Sequence, residues 1–263
     1  MMHLKFYNPP NRELPFDSIR LAYSSSKERK IITTPPFGKP VIILFIKPNS
    51  VKNFSVSSEG VLLGQHTRPL MMDLNENYKV MAIHLKPYAL KQLFNLDASQ
   101  LTNRFSGINN FKLIQTLYQL VVRSIDEEKA LIHEINSFFN VVTLHPVSYE
   151  VTKFLAYLQV KSHSSIREVA KEIGLSERSL ERKFRTEVGL SPKKYMLIRR
   201  VFEVFETLKE DNDWQQLVVD HHYADQAHLI KEFKKHANIA PGLYVRKGLT
   251  IAQQLPPISG FEL

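Results

Sequence analysis

Ile166-Arg167-Glu168-Val169-Ala170-Lys171-Glu172-Ile173-Gly174-Leu175-Ser176, running on through Leu180, Phe184, Gly189, Pro192 and Tyr195, is the stretch on which the fold turns, because the chain repeats it. Trp214, Leu217, Val218, His221 and Tyr223 open a second unit, which continues through Leu229, Phe233, Asn238, Pro241 and Tyr244. The offset is 48 residues before the turn and 49 after it, so the second unit carries one extra residue between Tyr223 and Gln226. A repeat at fixed spacing marks one supersecondary unit used twice. Each copy reads as a short helix, a tight turn and a longer basic helix, the helix-turn-helix pattern.

Local chemistry supports that reading. Gly174 supplies a residue tolerant of positive φ just after the first helix, and Ser176 is a good N-cap for the second. Leu180 and Phe184, four apart, share an inward face, leaving Arg178, Glu181, Arg182 and Arg185 outward. In the second unit Leu229 and Phe233 face inward, so Gln226, Ala227, Ile230, Lys231 and Lys234 face out with His228 near the edge. Arg reads guanine bidentately, Gln reads adenine, Ala or Ile can touch a thymine methyl, and flanking cations neutralise phosphate. Between the units, Pro192 to Leu208 reads as a helix with Ser191 as N-cap and Pro in its first turn. Seventeen residues span roughly 26 Å, which would hold two recognition helices about one DNA turn apart.

Outward from the repeat, the first 86 residues read as β. Val41 to Ile46 is a buried-strand candidate, and Phe54–Ser57, Gly60–Gly64 and Lys79–Leu85 are further short β-prone runs, together suggesting a small barrel or sandwich. After Pro87 the period becomes helical. Phe111, Ile114, Leu117, Tyr118, Val121, Val122 and Ile125, then Leu131, Ile135, Phe138, Phe139 and Val142, make apolar stripes that either cover the β module or form a homodimer surface through 111–142. The expected fold class is therefore an α+β N-terminal module, a small barrel or sandwich plus helices, over 1–145, then an all-α double helix-turn-helix domain over 146–250 and a tail over 251–263.

Composition bounds the function. Apolar residues at 43% and charged residues at 23% describe a globular chain, and no run approaches the roughly 20 apolar residues of a membrane span. With no signal-peptide core at Met1 to Lys5, a cytoplasmic location is expected. Zero cysteines exclude disulfides, thiol nucleophiles and Cys-ligated metals. The net charge of +9 suits nucleic acid, acidic membrane or a polyanionic ligand, and the excess is spread over both halves. His66 and His84 lie in strand-like segments but lack HxH or HExxH spacing, so neither a metal nor a cofactor is expected. Asp220-His221-His222 are helix neighbours that do not face one another. Trp214 reads as a core anchor and Arg68 as a surface residue. No GxSxG, Walker or GxGxxG motif points to an enzyme. Rival readings are a helical bundle with a solvated charged face, a regulator-like protein with a catalytic or metal-binding N-terminal module, and a sequence-indifferent DNA-coating protein.

The segments Ile166 to Ala170, Gly174 to Phe184, Gly189 to Tyr195, Tyr223 to Lys234 and Pro241 to Tyr244 together resemble the AraC/XylS family of bacterial transcription regulators over about residues 148–247. The resemblance implies a sequence-specific, effector-responsive regulator that binds double-stranded promoter DNA and engages RNA polymerase when it activates. It places Arg178, Glu181 and Arg182 in one groove, and Gln226, Ala227, His228, Ile230 and Lys231 in the next. His222 and Asn238 stand where the family usually has Gly. Asn tolerates the left-handed region, whereas His222 puts the turn of the second unit, and its base contacts, in question. Gly60 to Pro69 and Met81 to Phe94 resemble a domain of uncharacterised function found ahead of such units, which implies a sensing or dimerising module but no particular ligand; a small-molecule effector is a partner expected from the regulator resemblance, its identity open.

Overall fold

In the computed structural model, residues 3–9, 11, 13–25, 27, 30–47, 50–51, 57–160, 165–208 and 213–246 are described. Strands β1 (His3–Tyr7), β2 (Phe16–Tyr23), β3 (Lys30–Thr34), β4 (Val41–Phe45), β5 (Gly60–Leu63), β6 (Leu70–Leu74), β7 (Lys79–Leu85) and β8 (Phe105–Gly107) build the N-terminal part. Six of them pair antiparallel in the order β1-β2-β7-β4-β5-β8, and β3 with β6 makes a separate two-stranded ribbon. The strand-rich region expected from the sequence thus takes the form of a sheet and a ribbon. The run expected at Phe54 lies outside the described residues apart from Ser57.

Register explains why β4 is buried along its whole length. Ile19, Ile83, Ile42 and Leu62 align across β2, β7, β4 and β5, while Arg20, Ala82, Ile43 and Val61 form the adjacent row. Alternation sends the two rows to opposite faces of the sheet. The first face is covered by α1 (Ala89–Phe94), α2 (Lys112–Ser124) and α3 (Glu128–Val141), whose Ile114, Leu117, Val121, Leu131, Ile135 and Phe139 all join its core. The stripe that offered a dimer surface is therefore packed on the sheet, with Val122 and Val141 left exposed on the outer side.

The second face is closed by the C-terminal part. Helices α4 (Tyr149–Val160), α5 (Ile166–Glu172) and α6 (Glu177–Val188) surround Phe154, Phe184 and Tyr195, with ring centroids 4.8 and 5.3 Å apart. The long α7 (Pro192–Thr207), α8 (Trp214–Asp220), α9 (Gln226–Ala237) and α10 (Pro241–Arg246) repeat the theme: Phe205 meets Phe233 at 4.2 Å and Tyr244 at 5.4 Å. Trp214 packs half-buried on this second cluster. Val201, Phe202, Val204 and Phe205 of α7 belong to the same apolar cluster as Val41, Ile43, Phe45 and Val61 of the sheet, with the Phe37 and Phe202 rings 6.1 Å apart. The other helix-turn-helix unit is also tied to the N-terminal part, by Thr102 Oγ1 donating to Gly189 O at 2.5 Å. Gly189 has φ +90°, and a Cβ there would stand 2.8 Å from Ala98 O, so this seam requires glycine twice over.

Polar groups also lie beneath this seam. Lys39, nearly buried, pairs with Asp17 at 2.8 Å. Phe37 stacks on His84 at 5.0 Å and meets His66 edge-on at 5.2 Å. Burial lowers Arg20 to about 9, against the attraction of Glu206 on α7. Burial likewise brings His66 down to about 4, despite hydrogen bonding to Pro35 and Gly64 carbonyls. His84 is driven well below the usual imidazole range by burial and by Arg20, Lys39 and His66.

Candidate nucleic-acid interface

The first unit is capped at every end. Ser165 and Glu168 form a reciprocal capping box on α5, which the sequence reading overlooked although S-x-x-E spells it. Ser176 accepts from Ser179 N at 3.2 Å at the start of α6. In the turn, Gly174 N donates to Lys171 O and Leu175 N to Ala170 O, the paired bonds of a Schellman closure, with Gly174 at φ +74°.

The second unit makes the same closure without glycine. His222 N donates to Val219 O and Tyr223 N to Val218 O, with His222 at φ +51°. The turn called into question by His222 is thus preserved, and a side-chain-bearing residue accepts a conformation that costs roughly 1–2 kcal/mol. The extra residue is absorbed just after it: Leu175 runs straight into the cap Ser176, whereas Ala224 intervenes between Tyr223 and the cap Asp225. Asp225 accepts from His228 N at 2.7 Å. At the far end Asn238 closes α9 at φ +58°, as Gly189 closes α6.

Facing follows the expected periodicity in the first unit. Leu180 and Phe184 are fully buried, and Arg178, Glu181, Arg182 and Arg185 are exposed around an open groove of about 500 Å³ shared with Ser176 and Ser179. Arg185 Nη2 donates to Glu181 Oε1 at 3.1 Å, so these two groove residues arrive paired. Lys183 is drawn sideways to Glu150 at 2.8 Å. The buried Glu187 accepts from Ser148 N at 2.9 Å and from Ser148 Oγ, binding the end of α6 to the start of α4. In the second unit Leu229 and Phe233 are buried, Gln226, Ala227, Lys231 and Lys234 are exposed, and His228 and Ile230 are half-buried. His228 is turned partly inward, its ring T-shaped to that of Tyr223 with centroids 5.2 Å apart.

The connecting helix grips the second turn through side chains that no local sequence signal identifies. Thr207 Oγ1 and His221 Nε2 lie 2.8 Å apart. Arg200 Nη1 donates to His222 O at 3.4 Å, and its guanidinium carbon stands 4.5 Å from the Tyr223 ring centre. Burial is the main reason the Tyr223 hydroxyl is pushed up to about 12. With 16 residues, α7 spans about 24 Å, shorter than the roughly 34 Å of one DNA turn, so its length alone does not set the spacing of the two units.

Among the described residues no group of three His, Asp or Glu side chains is placed to hold a metal, and no helix is long and apolar enough to cross a membrane.

Residues 169–247 match a family model described as a helix-turn-helix domain, and residues 20–106 match a domain of unknown function. No curated protein matches the chain. Among solved structures, the chain is similar to ToxT from Vibrio cholerae O395 at 13% identity, covering 93% of this chain and 97% of that one with a TM-score of 0.44. It is also similar to the C-terminal domain of AraT, a response regulator from Geobacillus stearothermophilus, at 22% identity, covering 39% and 88% with a TM-score of 0.37. A third is the DNA-binding domain of AdpA, a global transcriptional factor in complex with a target DNA, at 18% identity, covering 42% and 99% with a TM-score of 0.36.

Proposed function

We infer that this chain, whose residues 169–247 are a helix-turn-helix domain of the AraC type, is a sequence-specific DNA-binding transcription regulator. The observation that carries the reading is the duplicated unit: two capped recognition helices with exposed, chemically mixed faces, joined by one continuous helix. Arg178, Glu181, Arg182 and Arg185 would meet one major groove, and Gln226, Ala227, His228, Ile230, Lys231 and Lys234 the next. Glu, Gln, Ala and Ile on those faces favour base reading over coating, since phosphate binding requires only cations and donors.

The N-terminal part, in this reading, senses a small-molecule effector and conveys its presence through the seam it shares with both units. Binding is the chain's activity, the promoter its target, and the cytoplasm its place of work. An activating role would bring it to RNA polymerase, and a homodimer would have to use the outer sides of α2 and α3. Selection of bound duplexes from a randomised library, with the full chain near physiological salt, tests the proposal. Two conserved blocks about one helical turn apart are expected. Retention of DNA with no enriched sequence would replace base reading by phosphate binding alone.

A further inference from the structure

Arg200 belongs to neither recognition helix, yet its guanidinium reaches from α7 into the turn of the second unit. There it touches two consecutive residues: it donates to the carbonyl of His222, the residue held in the left-handed region, and covers the face of Tyr223. Tyr223 in turn meets the ring of His228, the third residue of α9. A cation over an aromatic face is attracted by the ring's negative quadrupole. A donor to the His222 carbonyl favours the peptide orientation that the left-handed residue requires. In the first unit Gly174 takes the equivalent conformation without a Cβ penalty.

We propose that Arg200 is a positioning residue for the second recognition helix, clamping the turn at His222 and, through Tyr223, setting the N-terminal end of α9 against DNA. The proposal rests on the DNA-reading function inferred above and adds a determinant of specificity that makes no base contact. It also accounts for how a turn lacking glycine retains the geometry of its glycine-bearing twin.

The test uses the full chain and the duplex recovered by the unaltered protein, with each base pair of both blocks substituted in turn. Lys231→Ala identifies the block read by the second unit. Arg200→Ala is expected to reduce discrimination in that block about tenfold, the scale of one good base contact, and to leave the other block intact. The slope of log affinity against log salt should not change, because no phosphate contact is lost. Arg200→Lys, which keeps a cation over Tyr223, should retain most of the discrimination. His222→Gly added to Arg200→Ala should restore it, since glycine needs no clamp in that turn; circular dichroism verifies that each variant is folded.

Equal loss on recovered and random duplex with a shallower salt slope would make Arg200 a phosphate contact and overturn the proposal. Unchanged discrimination, equal loss in both blocks, or a double variant no better than the single one would overturn it as well. If the unaltered chain recovers no motif, the DNA-reading function itself falls. A motif recovered equally by Arg200→Ala sinks only the clamp.

Discussion

Acidification should loosen this protein through a buried histidine at the seam. His66 is 9% exposed, its Nε2 lies 3.3 Å from Pro35 O, and its ring meets Phe37 at the seam between the sheet and α7. Its folded value is about 4, whereas an unfolded histidine titrates near 6.5. Between those values the unfolded chain holds a proton that the folded chain refuses, so stability is lost as pH falls through about 6.5 and the loss continues towards about 4. By pH 5 the loss from this residue alone is about 2 kcal/mol relative to pH 7. For a chain of this size that corresponds to a fall of roughly 4–8 °C in Tm. His84 acts in the same direction, driven by burial and then by Arg20, Lys39 and His66. Urea unfolding followed by circular dichroism at pH 7, 6 and 5 measures the effect. His66→Phe keeps an aromatic ring beside Phe37 but takes no proton, so its stability should fall about 2 kcal/mol less over the same range. Carboxylates titrate in both proteins and cancel in the difference. Parallel curves for the two proteins would refute the reasoning.

Three further outcomes follow from the geometry. Arg182→Ala should weaken base preference in one block and Lys231→Ala in the other, each by about 1–3 kcal/mol; equal losses on specific and random duplex in competition binding would show both to be phosphate contacts. Glu187→Ala removes a buried carboxylate that accepts twice from Ser148, and thermal unfolding should register a loss of about 3 kcal/mol, whereas a change within error would mean that water replaces it. Leu117→Asp places a carboxylate at a fully buried position beneath α2 and should abolish folding, while Val122→Asp on the exposed side should shift stability by no more than about 0.5 kcal/mol; comparable solubility and Tm for the two variants would contradict the packing of that helix on the sheet.

Legibility from sequence followed how local each determinant is. The recognition helices were readable because Leu180 with Phe184, and Leu229 with Phe233, carry the period and Ser176 carries the cap. Strand β4 was readable because burial on both faces leaves an unbroken apolar run. By contrast β2, Phe16–Tyr23, alternates Ile19 and Leu21 with Arg20, and an Arg at that register suggests solvent. It faces α7 instead, under a cover supplied from nearly two hundred residues away. At His222 propensity alone disfavours the left-handed turn, whereas Arg200 at its carbonyl and Thr207 at the neighbouring His221 reach in from α7, and no pattern within the turn announces those partners.

The apolar surface shared by the sheet and α7 sets a limit on modular exchange. An N-terminal part grafted from another protein onto this C-terminal half would have to offer its own match for Phe202 and its neighbours and a close approach for Gly189, or leave oily surface in water. Transplanting the DNA-reading half at the sequence boundary therefore carries an aggregation hazard, and a productive hybrid needs its crossover designed across the buried face, with both sides of the seam changed together.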